Sequence, residues 1–145
     1  MRRDQTKRAW KVVRYRDGRG WSPVIDEPRL KVCYELGKWS FPFIGKLFVF
    51  ADSQGALDFY YYMLRAMSHR NRFVIFQGLA VNLIHEPGKI LYLPYKEDST
   101  DLILKYWKKG PTAEGLKTID SSIPETAVCD RFLPLTDVTK ELQAS

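Results

Sequence analysis

Apolar residues recur every three or four positions between residues 53 and 68, and this spacing predicts the main helix of the chain. The apolar positions lie on one helical face and are Ala56, Phe59, Tyr60, Met63, Leu64 and Met67. Asp58 and Arg65 fall on the opposite side of the helix. Asp52 or Ser53 can cap the N-terminus by accepting a hydrogen bond from a free backbone N–H. We therefore expect helix 53–68 to pack against a sheet.

Runs of β-branched and aromatic residues on both sides of that helix predict strands. Residues 10–16 combine such residues with cations, and neither face of the run is cleanly apolar, so we expect an edge strand with exposed cations. Residues 29–35 alternate between apolar and polar side chains, which is typical of a half-buried strand. The remaining predicted strands are 47–50, 72–76, 79–84, 90–95 and 127–133.

A second, shorter helix is predicted over residues 101–109. Ser99 or Thr100 can cap it, and Gly110-Pro111 has the composition that ends a helix. The strands do not alternate regularly with helices, which disfavours a doubly wound parallel sheet. The chain is therefore expected to form one α+β domain over residues 1–145, with a mostly antiparallel or mixed sheet and two helices.

The composition is that of an ordinary globular protein. The chain has 145 residues, of which 45% are hydrophobic, so a core can form without a metal or a disulfide. Cys33 and Cys129 lie far apart, and we expect both to be free thiols. Residues 1–9 are polar and basic rather than a secretory signal, and the apolar run 47–51 is too short to span a membrane. We expect a cytoplasmic protein without a membrane partner.

Complete catalytic or metal-binding motifs are missing from the sequence. Gly45-Lys46 resembles the end of a phosphate-binding loop but lacks the first glycine and the hydroxyl residue. The cysteines and histidines are not spaced as zinc ligands, so no metal and no cofactor are expected. An alternative is a small enzyme in which folding brings a thiol nucleophile to a histidine base. The candidates for that pair are Cys33, Cys129, His69 and His85.

Positive charge is concentrated at the start of the chain. Residues 1–20 hold eight basic and two acidic side chains, a surplus of six positive charges. This surplus accounts for the whole net charge of +6, because the remaining residues contain equal numbers of basic and acidic side chains. A basic segment on a neutral body is typical of a protein that meets a polyanion, although such cations can also be only solvated. Our leading hypothesis is a non-enzymatic protein that binds nucleic acid. The expected contacts are Arg8, Lys11, Arg14, Arg16 and Arg19, with Trp10 and Tyr15 as stacking residues.

Exposed aromatic residues suggest another function. Tyr60-Tyr61-Tyr62 cannot all face one core, because consecutive helical positions are about 100° apart. The apolar loop 39–44 either covers the core or forms an exposed contact patch. The alternative hypothesis is therefore a protein–protein module, such as a homodimer. The residues expected at that interface are Tyr61, Tyr62, Trp39 and Phe41.

Three short patterns resemble small uncharacterised prokaryotic and phage proteins. They are Y-x-x-G-K-W at Tyr34–Trp39, G-x-L-F-V-F at Gly45–Phe50 and A-x-x-F at Ala56–Phe59. The resemblance implies a strand, a loop, a buried strand and a capped helix that packs back on it. It implies no function and no site residue.

Overall fold

The structure is a computed structural model that describes residues 4–16, 18–21, 32–42, 45–66, 72–85, 89–91, 105, 107–109, 118–120 and 126–144. The strands are β1 (Thr6–Arg16), β2 (Arg19–Trp21), β3 (Cys33–Tyr34), β4 (Leu47–Phe50), β5 (Arg72–Val81), β6 (Ile84–His85), β7 (Lys89–Leu91), β8 (Thr118–Asp120), β9 (Thr126–Cys129) and β10 (Arg131–Asp137). The helices are α1 (Ser53–Ala66) and α2 (Thr139–Ala144). Positions 105 and 107–109, in the predicted second helix, are also helical.

The main sheet confirms the predicted α+β class. It has eight strands in the order β10-β5-β1-β4-β9-β6, with β2 attached to β1 and β3 attached to β2. Every pairing in it is antiparallel. Strands β7 and β8 form a separate antiparallel pair. None of the described helices has the length and apolar character needed to cross a membrane.

Strand β1 lies in the middle of the sheet, so the prediction of an edge strand was wrong. One side of β1 pairs with β5 from Thr6 to Tyr15, which is all but its last residue. The other side is shared, because Trp10 pairs with β4 and Arg14 pairs with β2. Both faces of β1 combine apolar and charged residues in the sequence because the apolar core covers each face along only part of the strand. Its cations project from those faces and do not protect an open edge.

Strand β5 is continuous, although two strands separated by Gly78 were predicted. Gly78 is buried and lies opposite β10, where the register shifts between Pro134 and Thr136. A Cβ atom at position 78 would overlap the backbone carbonyl of Leu133. Glycine here allows two backbones to approach closely at a β-bulge and does not interrupt the strand. The bulge leaves Leu135 exposed.

The sheet curls so that its two ends meet. Beyond β3, the segment 37–40 lies along the free side of β10. Gly37 N–H donates to the Pro134 carbonyl at 2.8 Å, and Ser40 exchanges backbone hydrogen bonds with Phe132 at 2.7 and 3.1 Å. The path from β10 through β5, β1, β2 and β3 therefore returns to β10. The result is a partly closed barrel with an inner and an outer face.

Two apolar clusters occupy these faces. The inner cluster fills the curl and includes Ala9, Val13, Tyr34, Val74, Phe76, Cys129 and Phe132. The outer cluster lies between the sheet and the helices and includes Val12, Phe50, Ala56, Tyr60, Met63, Phe73 and Ile75. Side chains alternate between faces along a strand, so the odd positions of β1 point inward and the even positions point outward.

Helix α1 covers the outer face as predicted. The Asp52 carboxylate accepts the Gly55 N–H at 2.8 Å, so Asp52 is the cap. Ala56, Tyr60 and Met63 are buried, whereas Leu64 of the predicted stripe is 41% exposed. Positions 67–68 of the predicted helix lie outside the described residues.

Two features near the C-terminus differ from the predictions. The single strand expected over 127–133 is two strands, β9 and β10, separated by a bend at Asp130. They do not pair with each other, because β9 pairs with β4 and β6 whereas β10 pairs with β5. Helix α2 was not predicted. It is anchored to β5 because the Thr139 hydroxyl accepts the Ile75 N–H at 2.8 Å. Of the other predicted strands, positions 29–31 and 92–95 lie outside the described residues.

Candidate functional site

Four outward-facing side chains meet on the hairpin formed by β1 and β2. The register places Arg14 opposite Trp21 and Arg16 opposite Arg19. Even positions of β1 face outward, so all four side chains lie on the same surface. We call this set, Arg14, Arg16, Arg19 and Trp21, the hairpin face. Arg16 and Arg19 are its exposed members, whereas Arg14 and Trp21 are half-buried.

Two glycines allow this hairpin to form. Gly18 has a φ of 77°, a left-handed conformation that glycine adopts without steric cost and that suits a tight turn. Gly20 points inward opposite Tyr15, where an added Cβ would lie 2.8 Å from Val13 and 2.9 Å from the Tyr34 carbonyl oxygen. The hairpin can therefore lie directly on the inner core while its opposite side carries the cations.

The hairpin face concentrates like charge. Arg16 and Arg19 are both exposed and directly opposite each other across the strand pair. Like charges in this position destabilise a sheet. A negatively charged ligand placed between the two guanidinium groups would relieve this repulsion.

One described carboxylate lies beside the hairpin face. Glu35 follows β3, and its carboxylate lies 3.3 Å from Arg19 Nε and 2.8 Å from Lys38 Nζ. The hydrogen bond and charge of Lys38, together with the charge of Arg19, hold the pKa of Glu35 below its ordinary value. Glu35 is therefore ionised at neutral pH and partly neutralises one edge of the hairpin face.

Arg8 and Trp10 are on the same side of the sheet but belong to a different part of it. Trp10 is half-buried and packs against the outer cluster beside α1, so its ring is not an open stacking platform. Arg8 is exposed near the start of β1. Arg14 is six positions after Arg8, a separation of about 20 Å along the strand, and α1 packs on Val12 between them.

Lys11 and Tyr15 point to the inner side. Tyr15 packs against the inner cluster, and the Arg72 guanidinium lies 5.2 Å from its ring centre. Lys11 is 8% exposed, its ammonium donates to the Phe48 carbonyl at 2.5 Å, and it lies 5.4 Å from the centre of the Tyr34 ring. This burial removes Lys11 from any surface that a polyanion can reach.

Burial changes the proton affinity of two inward-facing groups. Desolvation lowers the pKa of Lys11 from 10.5 to about 8. It also raises the pKa of the Cys129 thiol to about 12, against a smaller opposing effect of the Lys11 charge. In both groups the neutral form is favoured, as expected for ionisable side chains in an apolar core.

The cysteines do not form a reactive pair. Cys33 lies opposite Trp21 on the outer side, Cys129 belongs to the inner cluster, and both are free. Burial and the neighbouring Glu35 charge raise the pKa of Cys33 as well. A nucleophilic cysteine needs a stabilised thiolate, so neither environment favours that chemistry. His69 lies outside the described residues, and His85 contributes a backbone position to β6.

The residues predicted for a protein interface lie on two elements. Tyr61 and Tyr62 are on α1, where 37% and 50% of their surfaces are exposed. Trp39 and Phe41 flank Ser40 on the segment that pairs with β10, and Phe41 is 60% exposed. The Arg131 guanidinium lies 5.1 Å from the Trp39 ring centre. The homodimer hypothesis stays a prediction.

A polar cluster that sequence reasoning missed joins the segment before β1 to the bend between β9 and β10. Asn82, with a φ of 57°, donates to Asp130 at 2.8 Å and to Asp4 at 3.3 Å. Lys46 contacts Asp130 at 2.6 Å, and Arg131 contacts Asp4 at 3.3 Å. Asp4, Lys46, Asn82 and Asp130 line a cleft. The charges of the cluster neutralise one another, which is typical of a structural ion-pair network. Asparagine after a strand is a weak local signal for such a turn.

No group of three or more His, Cys, Asp or Glu side chains within the described ranges could hold a metal ion. Comparisons with protein-family models, with curated proteins and with solved structures give no match for this chain.

Proposed function

We propose that this protein binds single-stranded nucleic acid through the hairpin face. The observation that carries the proposal is the register of β1 and β2, which sets the exposed Arg16 and Arg19 directly opposite each other. Like charges in this position disfavour the strand pairing, Glu35 offsets this only at Arg19, and a bridging phosphate would relieve the remaining repulsion. Guanidinium groups suit this role because their planar donors bind two phosphate oxygens at once.

Trp21 supports a single-stranded ligand over a duplex. It is half-buried, like Trp10, but lies on the same surface as the phosphate-binding candidates and opposite Arg14. An indole ring can stack on a base only where that base is unpaired and accessible. Two exposed guanidinium groups, those of Arg16 and Arg19, on the same surface as one aromatic ring therefore fit a strand that offers both phosphates and free bases.

The test is fluorescence anisotropy with a labelled single strand of about 16 nucleotides, titrated from about 50 to 200 mM salt. Changing Arg16 and Arg19 together to Ala should weaken binding roughly 10- to 100-fold, because two charge-assisted contacts are lost. The slope of log affinity against log salt should fall by about 1.4, which corresponds to two fewer phosphate contacts on a single strand.

The matched control is the Lys7→Ala, Arg8→Ala double variant. It removes the same charge from the same strand, but on exposed residues at the opposite end from the hairpin face. We expect it to retain most of the affinity. Equal losses in both double variants would show that only net charge matters, and no binding of the wild type at low salt would remove the proposed function.

The role of Trp21 is tested separately with duplex and single-stranded probes. Replacing Trp21 by Ala should weaken single-strand binding by about 5- to 150-fold, since base stacking on an aromatic ring contributes about 1–3 kcal/mol. Binding to a duplex of the same length should change little. An equal effect on both probes would argue against base stacking.

A further inference from the structure

We infer that Glu35 is an internal competitor for the phosphate groups of the ligand, which limits the affinity of the hairpin face. This inference rests on the proposed function. The Glu35 carboxylate bridges Arg19 at 3.3 Å and Lys38 at 2.8 Å. Each of its two oxygens contacts one of the cations, so the carboxylate occupies positions that two phosphate oxygens would take.

The exposure of the three groups allows an exchange of partners. The Arg19 and Lys38 side chains are 60% and 75% exposed, so an incoming phosphate can reach both cations from solvent. The Glu35 side chain is 28% exposed and is held closer to the sheet. Ion pairs this close to solvent are individually weak. A polyanion can therefore displace the carboxylate, but only by giving up part of its own binding free energy.

The backbone keeps the competitor in place. Lys38 N–H donates to the Glu35 carbonyl at 3.1 Å, which closes the turn that follows β3. Gly37 N–H then bonds to Pro134 on β10 at 2.8 Å. Because the turn is tied to β10, Glu35 and Lys38 hold a fixed position beside Arg19. The lowered pKa of Glu35 means that this competition persists at neutral pH.

The inference predicts that Glu35→Gln binds a single strand more tightly than the wild type. Release of two exposed ion pairs should raise affinity by about 2- to 30-fold. The salt dependence should steepen by up to about 1.4, because Arg19 and Lys38 become available to phosphates. Glu35→Asp keeps the negative charge but is shorter by one methylene group, so its affinity should lie between those of the wild type and Glu35→Gln, which separates the effect of charge from that of the contacts.

Glu141→Gln is the matched control, since it makes the same change in net charge at an exposed position of α2. Tighter binding in Glu35→Gln but not in Glu141→Gln supports the inference. Equal tightening in both variants, or unchanged or weaker binding in a folded Glu35→Gln variant, overturns it while leaving the proposed function intact. If neither the wild type nor Glu35→Gln binds at low salt, the proposed function itself is refuted, and the inference falls with it.

Discussion

The buried ammonium of Lys11 should give a contribution to the stability of this protein that increases as the pH rises from about 8 to 10.5. Lys11 is 8% exposed, and its described contacts are the Phe48 carbonyl at 2.5 Å and the Tyr34 ring at 5.4 Å. The perturbation is Lys11→Met, which keeps an unbranched side chain of similar length and removes the charge. Replacing a buried charge by an apolar side chain of similar volume is often neutral or stabilising.

The magnitude follows from proton linkage. Burial lowers the pKa of Lys11 from 10.5 in the unfolded chain to about 8 in the folded protein. Between these two values the unfolded chain binds more protons than the folded protein, so the free energy of unfolding increases with pH. The buried ammonium lowers the free energy of unfolding by its full amount below pH 8, and this destabilisation has disappeared by pH 10.5. The difference between the two pKa values corresponds to about 3 kcal/mol.

The titration of Cys129 changes the stability in the opposite direction, so its contribution has to be separated from that of Lys11. Its pKa is raised from 9.0 to about 12, so the folded protein retains the thiol proton longer than the unfolded chain does. Stability from this group is present below pH 9 and is lost as the pH rises toward 12. Wild type and Lys11→Met share Cys129, and their difference therefore isolates the lysine. Repeating the pair in a Cys129→Ala background removes the coupling between the two charges.

The assay is urea unfolding followed by tryptophan fluorescence at several pH values from about 7 to 10.5. The free energy of unfolding of the wild type minus that of Lys11→Met should rise by about 3 kcal/mol across this range. A difference that stays flat within about 0.5 kcal/mol in both backgrounds would refute the reasoning. It would mean that the Lys11 ammonium keeps access to water in the folded protein.

Two further predictions concern the fold. Gly78→Ala should destabilise the protein by about 1–3 kcal/mol, because the new methyl group overlaps the Leu133 carbonyl at the β-bulge. Urea unfolding measures this change, and a loss of less than about 0.5 kcal/mol would argue against close contact of β5 and β10. Asp52→Ala should cost about 1 kcal/mol, since the Gly55 N–H loses its cap at 2.8 Å. Asp58→Ala, also in α1, is the control for loss of charge, and an equal cost in both variants would contradict a capping role.

Local patterns were enough to predict the best-defined elements. The α1 cap at Asp52 and the burial of Ala56, Tyr60 and Met63 agree with the helical spacing. Strand 47–50 was predicted with its observed bounds. These features depend on neighbours within a few residues, through hydrogen bonds at a helix end and through the periodicity of one face. The irregular order of strands and helices likewise pointed to the α+β class.

The predicted binding residues show where local information ends. The sequence placed Arg8, Lys11, Arg14, Arg16 and Arg19 in one basic segment. In the structure, α1 separates Arg8 from the other outward-facing arginines, and the alternation of β1 turns Lys11 into the core. Which face of a strand becomes the inside depends on pairings with β5 and β10, which are distant in sequence. A charge pattern within the segment contains no information about those pairings.

The sequence by itself determined that this chain concentrates its surplus cations on a β-rich segment and builds one capped amphipathic helix. The tertiary structure alone decided that β1 is a central strand, that Gly78 serves a bulge, and that Glu35 lies against Arg19. The physical reason is the distance along the chain over which each kind of interaction acts. Capping and periodicity act over one or two helical turns, whereas burial, register and charge pairing depend on backbone segments that meet only when the sheet closes.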